Sequence, residues 1–139
     1  MTARYIDDLR DWLAANVASL AAFHPDTNPT GNCRTDTIDL NRMRALQVVL
    51  YEGTPGGQIG MNQGNPVRSV AAHIEVFGET IQASSMAELV YDTLNATPTF
   101  SQGDTAFMQI ALNGGIVPRG QIKAGVMNYG IDLNIKYSQ

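Results

Sequence analysis

Few residues in this chain are spaced for chemistry. His73 and Glu75 share one alternating run, Arg68-Ser69-Val70-Ala71-Ala72-His73-Ile74-Glu75-Val76-Phe77-Gly78. An acid–base or metal role needs convergent partners, and His24 is the only other histidine. In a strand His73 lies opposite Ile74 and meets Glu75 only if the strand bends, so it reads as a surface or interface histidine. Cys33 stands in a polar stretch beside Arg34, a cation that would lower a thiol pKa, but with no paired histidine it reads as incidental. Ser84 and Ser85 lack the Gly-x-Ser-x-Gly elbow of a nucleophile, and Ser85-Met86-Ala87-Glu88 has the spacing of a helix capping box instead. Asp26, Asp36 and Asp39 do not follow the spacing of a calcium loop. Gly53, Gly56, Gly57 and Gly60 are not followed by Gly-Lys-Ser/Thr, and no helix opens behind them, which argues against a phosphate cradle. Asn95-Ala96-Thr97 fits the glycosylation triplet, which matters only in a secreted chain. No catalytic residue, metal ligand or cofactor is assigned, and an enzyme is not the expected reading.

The elements around these residues follow from periodicity. Ile6, Leu9, Leu13, Val17 and Leu20 recur at helical steps with Trp12 beside them, which predicts a helix from Ala3 to about Phe23, capped by Thr2 and ended by His24-Pro25. Asp7 and Asp8 fall at the positive end of its dipole. Pro25 to Asn41 reads as loop, and Arg44 to Tyr51 as a strand with Leu46, Val48 and Leu50 on one face. From Gly53 to Pro66, five glycines and two prolines after Glu52 forbid a regular element through the middle. In the strand that follows, Val70, Ala72, Ile74 and Val76 are committed to a core. A second helix starts at Ser85, with Met86, Leu89, Val90 and Leu94 as its apolar stripe. Asn95 to Gly103 is a polar connection. Two further strands are predicted, one alternating Ala106, Met108, Ile110 and Leu112, the last alternating Ile131, Leu133, Ile135 and Tyr137. Between them Asn113-Gly114-Gly115 and Pro118-Arg119-Gly120 look like turns, with a short strand at Gln121 to Ala124. The order predicts an α+β fold, a mostly antiparallel sheet with two helices on one face, in a single domain over residues 1–139.

Bulk composition narrows the partners. The chain has 139 residues, 44% hydrophobic and 16% charged, the latter below the usual value of about 25%. Its net charge of -4 and pI of about 4.9 give no basic footprint for gripping phosphate backbones. One cysteine allows no internal disulfide, and no run approaches the ~20 apolar residues of a membrane span. Without a signal-peptide pattern the expectation is a soluble cytoplasmic product with no membrane partner. The glycine-rich loop has two readings: a disordered hairpin extension, or an arm that orders against a neighbouring subunit through Ile59, Met61 and its backbone.

A resemblance sharpens the second reading. The amphipathic first helix, a strand ending in a long loop, then Val-Arg-Ser-Val-Ala-Ala-His-Ile-Glu-Val-Phe-Gly and Met-Ala-Glu-Leu-Val-Tyr-Asp-Thr-Leu-Asn, resemble the tail-terminator and minor-capsid (neck) proteins of long-tailed bacteriophages. The family's Ala-x-x-Val-Tyr-x-x-Leu helix falls at Ala87 to Leu94, and Pro118-Arg119-Gly120 and an aromatic last strand, Tyr129 to Tyr137, also fit. The loop before Arg68 is longer and richer in glycine than the family pattern. The resemblance implies a homo-oligomer, commonly a six-membered ring, in the tail or neck of the virion. Such a ring caps the tail tube protein, stops its polymerisation and meets the head–tail connector, while DNA passes through the hole without specific binding. A ring needs two different complementary surfaces on each subunit. The interface is expected at Gly53, Gly56, Gly57, Ile59, Met61 and Asn62 of the loop, at Arg68, His73, Glu75 and Phe77 of the long strand, and at Asp132, Asn134 and Lys136 of the last strand. A head-closure or tube subunit, or from another class a small ligand-binding α+β domain, remain as rival readings.

Overall fold

A computed structural model describes residues 3–53 and 57–139. Thr2 and Gly56, expected as a helix cap and an interface residue, lie outside the described residues.

Helix α1 spans Tyr5–Asn16 and buries Ile6, Leu9 and Leu13 completely, with Tyr5 and Trp12 beside them. It stops well before the predicted His24-Pro25. Asn16 Nδ2 folds back to donate to the Trp12 carbonyl at 2.8 Å, Val17 is already extended, and Ser19 turns the chain at φ 72°. Val17 and Leu20 stay buried, so the apolar pattern continues past the end of the helix.

The expected loop that follows contains strand β1, Cys33–Thr35, parallel to β2, Gln47–Glu52. Cys33 is fully buried in that strand, and burial pushes its thiol up to about 12, only partly countered by Arg10. The expectation of a thiol lowered by Arg34 is thus corrected: the Arg34 guanidinium instead lies over the Phe23 ring, 3.7 Å from its centroid. A short 3-10 turn, Leu40–Arg42, is tied to the sheet by buried Gln47, whose side chain accepts from Asp39 N and donates to the Arg42 carbonyl.

From Gln58 onward the glycine-rich segment is more ordered than its composition predicts. Strand β3, Gln58–Asn62, pairs antiparallel with β4, Asn65–Glu79, which therefore begins before Arg68. The two-residue turn Gln63-Gly64 has φ of 50° and 84°, the doubly left-handed geometry that matches the twist of a hairpin. Helix α2, Thr80–Ala96, follows β4 without a loop and buries Ala83, Met86, Ala87, Val90 and Leu94. Ser85 lies inside it and caps nothing, and Leu89 remains 42% exposed.

Strands β5, Phe100–Gln102, β6, Thr105–Leu112, β7, Val117–Lys123, and β8, Val126–Ser138, complete the sheet. Pro118-Arg119-Gly120 lies within β7, and the tight turn is at Gly125 (φ 79°). In β6 a register shift between Phe107 and Gln109 lets both Phe107 and Ile110 enter the core, so Met108 is exposed against the simple alternation expected.

The strand order is β1-β2-β4-β8-β6-β5, with β3 added to the start of β4 and β7 to the start of β8. Among the described strands only the β1–β2 pair is parallel; every other strand pair is antiparallel. One face carries Val48, Leu50, Val70, Ala72, Ile74, Val76, Ile131, Leu133 and Ile135 into a single core with the apolar faces of both helices. Each valine, leucine or isoleucine so withdrawn from water contributes roughly 2 kcal/mol. The α+β arrangement with the helices on one face therefore holds. Stacked aromatics close one end: Trp12 on Phe100 at 3.9 Å and Tyr5 on Tyr137 at 4.5 Å.

Candidate interaction surface

Because side chains alternate along a strand, burying Val70 to Val76 and Ile131 to Ile135 on the helical side sets the intervening residues on the opposite face. That face presents Ser69, Ala71, His73 and Glu75 from β4, Asp132, Asn134 and Lys136 from β8, and Tyr51 from β2. His73 pairs across the ladders with Tyr51 on one side and Asp132 on the other. The Tyr51 and His73 rings stack at 5.0 Å with planes 16° apart. His73 and Glu75 share the face without any bend, being two positions apart.

Arg119 joins this group from β7. Its Nε lies 3.3 Å from Glu75 Oε1 and its Nη2 3.8 Å from Asp132 Oδ1. Gly130, opposite Glu75 in β8, makes the approach feasible, since a Cβ there would run into the Arg119 guanidinium. Burial raises the Glu75 pKa above the usual carboxylate range, against the opposing pull of Arg119 and His73. Burial likewise raises the Tyr51 hydroxyl. Glu75 Oε2 and Asn128 Oδ1 are buried without a hydrogen-bond partner. Among the described residues no three His, Cys, Asp or Glu side chains are grouped to hold a metal ion.

The expected interface residues divide into three groups. His73, Glu75, Asp132, Asn134 and Lys136 come together on the open face. Ile59 and Met61 sit on the β3 hairpin, 54% and 61% exposed, and Gly57 beside them is also open. The others lie apart from these two groups. Arg68 is in register with Tyr137 on the same side as Val70, away from His73. Phe77 shares the face of His73 and Glu75 by alternation, yet it is only 7% exposed, covered by the chain's own residues at that end of the sheet. Gly53 donates its N–H to the Ala71 carbonyl at 2.8 Å, and any Cβ would strike that oxygen, so its lack of a side chain serves the chain's own packing. Asn62 is half-buried and donates to Ser138 Oγ at 3.1 Å.

Two participants were missed. Tyr51 was assigned to a strand but not to a stack, because cross-strand register cannot be read from one strand alone. Arg119 was placed in a turn, since Pro118 and Gly120 flank it. The only sequence signal for it was the glycine at 130. Two strands off the main path of the sheet leave an edge bare: among the described residues β3 pairs only with β4, and β7, exposed at every residue, pairs only with β8. No helix is long and apolar enough to cross a membrane among the described residues. No protein-family model matches this sequence, and no curated protein matches it.

Proposed function

We propose that the chain is a structural subunit of a bacteriophage tail, a terminator whose ring caps the tail tube and joins it to the neck. The observation that carries this reading is the division of labour on the sheet. Among the described residues one face is sealed by both helices, while the part of the other face around Ala71, Asn134 and Lys136, two strand edges and Ile59 and Met61 of the hairpin are left exposed. Bare edges on distinct parts of a subunit favour head-to-tail contacts, the kind that close into rings. The open face balances its charges, Glu75 and Asp132 against Arg119 and Lys136, and offers no track of cations to hold a phosphate backbone. DNA would pass such a surface without being captured.

The test is assembly. The purified protein should form annuli in negative-stain images and never long tubes, and adding it to polymerising tube subunits should arrest their growth. A protein that turns over a substrate, or that leaves tube length unchanged, would sink the proposal.

A second reading has one observation in its favour. A recess of about 320 Å³ is lined by polar Asn28, Asn32, Asp39 and Arg42 together with apolar Ala45 and Leu46, a volume within the range of small-ligand sites. A ligand-dependent rise in melting temperature with a strictly monomeric mass would support that alternative.

A further inference from the structure

Strand β7 is exposed at every residue, yet its free edge is not built to receive another strand. Pro118 has no N–H to offer, and register shifts between Pro118 and Gly120 and between Gln121 and Lys123 break the ladder. Whatever covers β7 therefore reads its side chains. Val117 is opposite Gly130, and Lys123 is opposite Val126, which also faces Glu79, so both side chains lie on the face of Glu75. Val117 is 43% exposed, and Ile122, next to Lys123, is 39% exposed.

A second uncovered surface is the outer side of α2. Ile81, Ser85, Glu88, Leu89 and Asp92 follow helical spacing along one stripe, turned away from the buried Ala83, Met86, Ala87, Val90 and Leu94. Ile81, at 81%, is the most exposed of the large apolar side chains among the described residues. Glu88 and Asp92 stand one turn apart, where like charges repel. Among the described residues neither of them, nor Lys123, has an ion-pair partner.

The chain segregates its charges between these two surfaces. No lysine or arginine occurs from Ser69 to Pro118, and no aspartate or glutamate from Thr105 to Ile131. The α2 stripe is thus acidic and apolar, and β7 is cationic and apolar. Their spacings also agree. Glu88 and Asp92 lie about 10 and 16 Å along the helix from Ile81. Val117 and Lys123, opposite β8 residues four positions apart, are separated by about 13 Å. With Val117 seated on Ile81, Lys123 falls between the two carboxylates and Ile122 comes beside Leu89. One chain cannot make this contact with itself, because the sheet and the body of α2 stand between the open face and the stripe. Resting on the ring reading above, we propose that β7 of one copy docks across the outer stripe of α2 of the next, with Lys123 between Glu88 and Asp92. Arg119 stays with Glu75 and Asp132. The two surfaces differ, so the contact is heterologous and continues from copy to copy around a ring.

Charge reversal tests the pairing, read by annuli in negative stain and by arrest of tube growth. Lys123→Glu alone, and Glu88→Lys/Asp92→Lys alone, set like charges against each other. Each should weaken self-association at least ~tenfold with an unchanged melting curve. Combining all three substitutions in one chain should restore assembly. An equimolar mixture of the two variants should restore it as well, because every contact in an alternating ring is then oppositely charged. If the reversed variants assemble as well as the parent, or if neither the combination nor the mixture rescues them, the β7–α2 contact is wrong and the ring reading stands. If the parent protein neither forms annuli nor arrests tube growth, both fall together.

Discussion

Asp8 tests whether α1 is fixed to the sheet by packing alone. It is 4% exposed and accepts from Thr105 Oγ1 at 2.6 Å and from Asp104 N at 3.2 Å, across the β5–β6 turn. Gly103 in that turn has φ 57°, and a Cβ there would press on the Asp8 carboxylate. Asp8→Ala leaves the Thr105 hydroxyl, itself 1% exposed, without its carboxylate. Losing a hydrogen bond from a buried hydroxyl to a charged acceptor costs about 2 kcal/mol, and the half-exposed Asp104 N–H adds about 1. The expected loss is therefore about 3 kcal/mol, which for a chain of 139 residues lowers Tm by about 10 °C. Urea unfolding should show a lower midpoint with an unchanged slope. Asp8→Asn, which keeps an acceptor oxygen, should lose about half as much. A cycle with Thr105→Val should return a coupling of about 1.5 kcal/mol between the two positions. An Asp8→Ala protein within 1 kcal/mol of the parent would refute the reasoning and show that Ile6, Leu9 and Leu13 anchor α1 unaided.

Further predictions concern the open face, the thiol and the hairpin. Glu75 has a folded-state pKa raised by burial, so the parent protein loses stability as pH rises from the ordinary carboxylate range through that raised value. Glu75→Gln removes this loss, and urea unfolding should show the variant gaining on the parent between pH 4 and pH 7; the opposite trend would mean that the Arg119 pair outweighs desolvation. Cys33, with its thiol at about 12, should react with a thiol reagent at pH 8 at least ~100-fold more slowly in the native protein than in urea. Gly53→Ala should cost about 2 kcal/mol by chemical denaturation, because its Cβ meets the Ala71 carbonyl, whereas Gly57→Ala, with nothing within 4 Å, should be neutral. Equal effects at the two glycines would mean that β2 and β4 can separate at no cost.

What the sequence disclosed depended on how far each signal extends. Val70 to Val76 and Ile131 to Ile135 alternate long enough to identify both central strands and the face they bury. Cys33-Arg34-Thr35 is too short for any period, and its place in the sheet depends on a parallel partner fifteen residues away. Val17 and Leu20 extended the helical pattern beyond the helix because burial, not backbone conformation, selects apolar residues. The hairpin was hidden by its glycines, although Gln63-Gly64 between two polar strands carried the turn signal. Met108 was placed inside because a bulge reverses alternation without changing composition. At the surface, His73, Glu75 and Asp132 were foreseen individually. Their grouping with Tyr51 and Arg119 was not, since it rests on register between strands that are remote in sequence.

The placement of β8 has a bearing on how the molecule is made. It lies between β4 on one side and β6 and β7 on the other, yet it is synthesised after all three. Until Val126 to Ser138 leave the ribosome, the longest strand of the sheet faces water along its inner edge with nothing to zip against. The nascent polypeptide must wait in an open, sticky condition, and folding by such distant pairings is slow. Growth conditions that hasten translation or crowd the cell should therefore drive this protein into inclusion bodies, and cooling or chaperone supply should rescue it.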